Sequence, residues 1–285
     1  FFQNIQVLVD LGIKPIIVHG GGPQINDMLN KLSIKHNFFK GMRITNKKTF
    51  DIVEMILSGS INKNISFCLS KKGVKALGLS GVDSKIIIAK KYRKKNLLDP
   101  DLGLVGQPER INKKFLLELI AKNIVPIIAP IGSNSKGTKF NINADLTAGF
   151  IASEIGARRL LMLTDVEGVK DKNNQLISEL KVKDIKKLIN QKIIYGGMIP
   201  KVRTCVEAAQ DLEEDHNIST QIIDLLSVSP ISFISIFLKL FLEILFLFPS
   251  AINLGFLNLF NFFTLDTEKL LLPKEKDSTS ETICF

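Results

Sequence analysis

Tryptophan is absent and tyrosine occurs only twice, whereas phenylalanine occurs 19 times in the 285 residues. With the abundance of Lys, Ile and Asn, this imbalance reads as the codon bias of an AT-rich genome such as an organelle's. Cysteine is scarce as well. Cys68, Cys205 and Cys284 lie far apart, with no C-x-x-C spacing and no neighbouring His. This excludes a disulfide framework and a cysteine-based metal centre, and a reducing compartment is expected. Acidic charge is in deficit, with 28 Asp and Glu against 38 Lys and Arg and a net charge of +10. The surplus is dispersed lysine with one concentration at Lys85, Lys90, Lys91, Arg93, Lys94 and Lys95. A nucleic-acid face needs stacking aromatics or a recognisable module, and Tyr92 is the only aromatic in this group. The cluster is therefore read as a solvated hairpin or loop, and nucleic acid is excluded as a partner. No secretory leader is visible; the chain opens on Phe1 without a Met and is expected to begin inside a folded domain.

Two regimes of composition meet near Gln210. Up to that point short apolar strands alternate with helical patterns, which implies an α/β fold with a parallel sheet. The strands are Pro15–Val18, Val74–Leu79, Val125–Ala129 and Leu160–Leu163. Helices are expected over Phe50–Leu69, Lys113–Lys122, from the opening run Asn141–Asp145 through Ile155 with Gly156 as its stop, over Asp184–Asn190, and onward from Gly196. Hairpin-like segments fall near Gly81, Gly103 and Gly106, and the stretch from Gly132 to Gly137 reads as turns. From Ile222 to Leu265 the only charges are Asp224, Lys239 and Glu243. Three readings fit this tail: a product of a frame change or unremoved intron, a membrane anchor, or a divergent domain element. Pro249, Asn253, Gly255, Asn258 and Asn261 are expensive in a spanning helix. The polar stretch Pro273–Thr282 is expected to be disordered.

The most informative run is Val18-His19-Gly20-Gly21-Gly22-Pro23, which joins a buried strand to a helix through three glycines. Pro23 suits a first helical turn, and Ile25, Met28, Leu29 and Leu32 recur on one face. Glycines there allow positive φ and a close backbone approach, and the helix N-terminus offers free N–H groups to an anion. A tight turn without a ligand is the alternative from this run alone. Further candidates follow in order: Gly41-Met42-Arg43-Ile44-Thr45, Asn141-Ile142-Asn143-Ala144-Asp145, Thr164-Asp165 at a strand end, and Gly197-Met198-Ile199-Pro200-Lys201. Helix capping is the plain alternative for Asn141 and Asp145. A lysine in a first helical turn opposes the macrodipole, which favours a functional reading of Lys201.

On these motifs in this order the chain resembles the N-acetylglutamate kinases of the amino acid kinase family, from about Phe1 to Gln210. The resemblance implies an α/β three-layer sandwich with a central, mainly parallel sheet. It also implies ATP-dependent phosphorylation of the side-chain carboxylate of N-acetyl-L-glutamate, the second step of arginine biosynthesis. By the same resemblance Gly21 and Gly22 bind substrate and the transferred phosphoryl group, Arg43 holds the α-carboxylate, and Asn141 fixes the amino-acid portion. Asp145 orients the catalytic lysines, and Lys201 neutralises charge on the ATP side. Gly20, Thr164, Asp165 and Lys201 contact the nucleotide, Mg2+ arrives with ATP, and no metal is held by protein residues.

The implied organisation is a substrate lobe at 1–155, part of an ATP lobe at 156–210 and a hydrophobic tail at 211–285. The family is commonly dimeric or hexameric, and oxygenic-lineage relatives bind a nitrogen-signalling trimer of the PII type. A plastid stroma or cytoplasm is the implied location, with a soluble core. The family's first strand, which carries a lysine and two glycines, is expected to be missing or replaced, as are its C-terminal elements. The chain as it stands is thus expected to be weakly active or inactive. Rival readings are a sibling kinase with another acceptor and a non-catalytic ligand-binding or membrane-associated module.

Overall fold

Apolar runs too short for helices and too apolar for one-faced strands build the central layer. A computed structural model describes residues 1–94, 96–164, 168–177, 180, 182–196, 198–210, 219–224 and 281–284. The chain opens with α1 (Phe2–Asp10), β1 (Ile16–His19), α2 (Gly22–Lys31), and the two-residue strands β2 (Phe38–Phe39) and β3 (Met42–Arg43). Then come α3 (Lys47–Glu54), a π-helical segment Met55–Ile61, α4 (Asn62–Lys71), β4 (Ala76–Ser80), β5 (Ile87–Lys91) and β6 (Gly106–Ile111). The middle holds α5 (Lys113–Ala121), β7 (Val125–Ala129), β8 (Ile131–Ser133), β9 (Lys139–Asn141) and α6 (Ala144–Ile155). The last elements are β10 (Arg159–Thr164), α7 (Val182–Asn190), α8 (Met198–Gln210), β11 (Ser219–Asp224) and β12 (Glu281–Cys284).

The six-stranded sheet has the order β11-β10-β12-β1-β7-β4. β1, β7 and β4 run parallel to one another, as do β10 and β11. Between these two blocks β12 pairs antiparallel with both β1 and β10. Every residue of β1 and β7 is buried, as a sheet covered on both faces requires. Ile16, Val18, Ile128, Leu160 and Met162 join Leu116 of α5 and Ala148, Ile151 and Ala152 of α6 in one core. Strand alternation turns Ile17 and His19 to the opposite face, where α4 covers β4 and β7. The architecture is thus α/β with helices on both sides of a mainly parallel sheet.

A smaller sheet, β6-β5-β8-β9, and the β2–β3 pair sit beside this frame. The β5–β6 hairpin is the expected solvated one: Lys90 and Lys91 are exposed and pair with Glu109 and Asp101. The helix expected over Phe50–Leu69 is helical throughout, but it changes to π winding at Met55–Ile61 before resuming as α4. Leu32, expected on the apolar face of α2, is 50% exposed because the helix has ended by then. The turns expected from Gly132 to Gly137 lie within the β8–β9 hairpin. Thr282, expected to be disordered, is in β12, where β1 and β10 supply ladder partners on both edges. Residues 1–225 and 279–285 form one compact unit; a second unit, 226–278, lies outside the described residues together with the apolar run of the tail. Among the described residues no helix is long and apolar enough to cross a membrane.

Candidate active site

At the end of β1 the chain passes through Gly20 and Gly21 into α2, which opens at Gly22 with Pro23 in its first turn. No side chain caps this helix start, so its first N–H groups remain available to an anion. None of the three glycines lies in the left-handed region, Gly21 being extended at φ 178°, contrary to one of the reasons the sequence suggested for them. The observed requirement is space. A Cβ on Gly21 would run into Ile61 Cδ1 and Leu57 Cδ2 from the π-helical segment. A Cβ on Gly22 would meet nothing within 4 Å, so that residue borders open room. Beneath the loop, His19 is fully buried, and burial lowers its pKa from 6.5 to about 4, partly opposed by its hydrogen bond to Gly20. The ring is neutral at physiological pH.

Arg43 comes to this loop from β3. It is 6% exposed, its Nη2 donates to the Gly22 carbonyl at 3.3 Å, and its guanidinium lies 4.5 Å from the centre of the Phe38 ring. Nη1 is buried without a partner. Burial pulls the Arg43 pKa down to about 10, which still leaves a cation at neutral pH. A buried cation with an unused planar donor fits a carboxylate from outside the chain. Thr45 Oγ1 donates to the Arg43 carbonyl at 2.7 Å and accepts from Asn141 Nδ2 at 3.2 Å. The Leu102–Leu104 strip ties the same residues through the backbone: Thr45 N donates to Leu102 O, Leu104 N to Thr45 O, and Asn141 N to Leu104 O. Arg43 and Asn141, 98 positions apart in sequence, therefore share one hydrogen-bonded scaffold.

The second half of the site is an ion pair between two helix starts. Lys201 Nζ, in the first turn of α8, lies 3.0 and 3.1 Å from the two Asp145 carboxylate oxygens in the first turn of α6. Each side chain is 13% exposed. Asn143 is the cap of α6, its Oδ1 accepting from Leu146 N at 2.9 Å, so capping explains neither Asn141 nor Asp145. One turn further along, Gly149 of α6 abuts Thr204 of α8, and a Cβ there would strike Thr204 Cγ2. The glycine thereby lets the helices approach closely enough for the ion pair. Thr164 ends β10; its side chain, Asp165 and Gly197 lie outside the described residues.

Asn62 belongs to none of the motifs above. It begins α4, is fully buried, and its Nδ2 lies within hydrogen-bond reach of His19 Nε2 at 3.1 Å, Leu79 O at 3.2 Å and Ile127 O at 3.0 Å. A polar residue between Ile61 and Ile65, on the apolar side of a helix, was the available signal.

The pattern of the amino acid kinase family fits residues 1–224, reaching past the Gln210 limit expected from sequence to take in β11. The acetylglutamate kinase of Parvibaculum lavamentivorans is 48% identical over 218 residues, spanning 74% of this chain and 71% of that protein. The acetylglutamate kinase of Methylobacterium nodulans is 45% identical over 218 residues, with the same two shares. Among solved structures, smu.665 from Streptococcus mutans superposes with a TM-score of 0.67 at 27% identity, covering 79% of this chain and 91% of that one. With the ordered motifs, the mainly parallel sheet and a fit over residues 1–224, the chain belongs to the amino acid kinase family.

Proposed function

We propose that this chain transfers the γ-phosphoryl group of ATP to the side-chain carboxylate of N-acetyl-L-glutamate, giving N-acetyl-L-glutamyl 5-phosphate and ADP. The carrying observation is the buried Arg43 cation with its unpartnered Nη1, set against the glycine loop. Its fork is suited to the α-carboxylate of an amino-acid derivative, and a carbamate or nucleotide acceptor offers no such group. Asn141, fixed through Thr45 to the Arg43 backbone, would hold the amide end of the same molecule.

Phosphoryl transfer between two anionic partners asks a protein for positioning and electrostatic stabilisation more than for covalent chemistry. An oxygen of the acceptor carboxylate bonds to the γ-phosphorus, and the bond from phosphorus to the bridging β,γ-oxygen breaks as ADP departs. In our reading the N–H groups of Gly21 and Gly22 face the transferring group, with Gly20 next to them. Lys201 would supply positive charge on the nucleotide side while Asp145 holds its ammonium in place. Thr164 ends the parallel strand β10, where open α/β sheets receive ligands, and we assign it and the next residue in sequence, Asp165, to the nucleotide. Asp145 engages Lys201 with both oxygens, which suits a site where Mg2+ is carried by the phosphates of ATP rather than by a protein cage. Residues 1–155 would form the acceptor side and residues 156–210 part of the nucleotide side.

Calorimetry of the full chain with N-acetylglutamate and with 4-acetamidobutyrate, which lacks only the α-carboxylate, tests the assignment. Binding of the first and at least about tenfold weaker binding of the second, about 1.4 kcal/mol, is expected. Equal binding of the two would remove Arg43 as the α-carboxylate anchor.

A further inference from the structure

His19 and Asn62 form a pair beneath the glycine loop, and neither has any exposed surface. We propose that this pair is a positioning device for the loop, holding the Gly20–Gly21 peptide so that its N–H end faces the acceptor and the transferring phosphoryl group. This deepens the functional reading above and rests on it.

The geometry determines the tautomer. His19 Nδ1 lies 3.0 Å from the Gly20 carbonyl oxygen, which can only accept, so Nδ1 carries the proton. Nε2, 3.1 Å from the Asn62 amide nitrogen, is then the acceptor. The amide nitrogen is also the correct end of Asn62, because it faces the Leu79 and Ile127 carbonyls of β4 and β7. The two amide protons of Asn62 are shared among the Leu79 and Ile127 carbonyls and the imidazole Nε2, which fixes Asn62 between sheet and ring, and the imidazole grips Gly20 O. In a trans peptide the C=O and the following N–H point in opposite directions. With Gly20 O drawn down to His19, the Gly21 N–H is turned up and away from the core, and no described residue accepts from it.

Two glycines keep the device in place. A Cβ on Gly78 would collide with Asn62 Oδ1, so β4 leaves room for the amide at that position. Gly21 leaves room for Leu57 and Ile61, which press on the loop from the π-helical segment immediately before Asn62. π winding inside an α-helix is often found at functional sites. Here it brings two apolar contacts to the loop in the same stretch that delivers Asn62 to His19. Burial also keeps the imidazole neutral, as its acceptor role at Nε2 requires.

The test combines a readout independent of catalysis with one that depends on it. In the full chain labelled with 15N-histidine, the expected NMR signature of His19 is the Nδ1–H tautomer at neutral pH, assigned by its loss in His19→Asn. An Nε2–H tautomer, or an imidazolium at neutral pH, would overturn the proposal. In assays, His19→Leu is expected to lower kcat about tenfold or more, since small misplacements of a reacting array are costly, with KM for N-acetylglutamate changed by less than about twofold. His19→Asn places an amide donor where Nδ1 stood and should recover most of the lost kcat, although both variants lose the Nε2 acceptor. If His19→Asn were no better than His19→Leu, or if His19→Leu were fully active, the positioning role would be wrong. Should the unaltered chain phosphorylate nothing while showing the Nδ1–H tautomer, the functional reading would fail and the His19–Asn62–Gly20 linkage would stand.

Discussion

Lys201 and Asp145 each have little exposed surface, and each satisfies the other. Lys201→Met should therefore lower kcat by about 10²-fold or more, the scale of losing one preorganised charge or donor, and cost about 3 kcal/mol of stability by removing one partner of a largely buried ion pair. The double variant Lys201→Met/Asp145→Asn should regain much of the stability and none of the activity, as thermal unfolding beside turnover would show. Arg43→Lys retains the charge and removes the fork. Its expected effect is a rise of about tenfold or more in KM for N-acetylglutamate, with a smaller change in kcat. His19 contributes a pH dependence whose sign follows from its depressed pKa of about 4 in the folded chain. The unfolded chain binds this proton as pH falls through about 6.5 and the folded chain resists until about 4, so stability declines across that window. The decline attributable to His19 is about 3 kcal/mol at most and should be missing from His19→Asn in unfolding measured between those pH values.

At the scale of elements, the approach of α6 and α8 decides whether the ion pair forms. Gly149→Ala puts a methyl group against Thr204 Cγ2 and should cost about 1–3 kcal/mol by overpacking, with kcat falling as Asp145 and Lys201 are pushed apart. Thr204→Ser removes the opposing methyl, and the pair Gly149→Ala/Thr204→Ser should recover both quantities; failure to do so would show that the helix contact does not govern the ion pair. The elements that could be read from sequence are those whose signal is local. β7 and β10 are continuous apolar runs with clear ends, and α6 announces its stop with Gly156 in the left-handed region, φ 69°. β8 and β9 are three residues each and gain their identity from β5 and from one another, which no local pattern records. The π-helical segment is equally hidden, because a single helix over Phe50–Leu69 fits the sequence and nothing local marks the change of winding. Likewise the motifs exposed Arg43, Asn141, Asp145 and Lys201. Asn62 became interpretable only once Gly78 and two strand carbonyls were seen around it.

For the whole molecule, the central question is how the two parallel blocks of the sheet are joined. β12 lies between them, with Ile283 in register with Ile17 on one side and Leu161 on the other. A proline there removes a ladder donor from a strand paired on both edges, so Ile283→Pro should destabilise the fold by about 3 kcal/mol or more. An unchanged unfolding transition would show that β12 does not bind the blocks together. The site straddles this junction in chain terms: the glycine loop follows β1, and Thr164 ends β10. All of these roles serve one reaction, phosphoryl transfer to N-acetylglutamate. The 285-residue chain incubated with ATP, Mg2+, N-acetylglutamate and hydroxylamine should accumulate the hydroxamate of the acyl phosphate in step with ADP, slowly as expected where the family's first strand is missing or replaced, and Lys201→Met should abolish it. A folded chain that binds ATP yet forms no hydroxamate from N-acetylglutamate, or forms as much with Lys201→Met, would contradict the account.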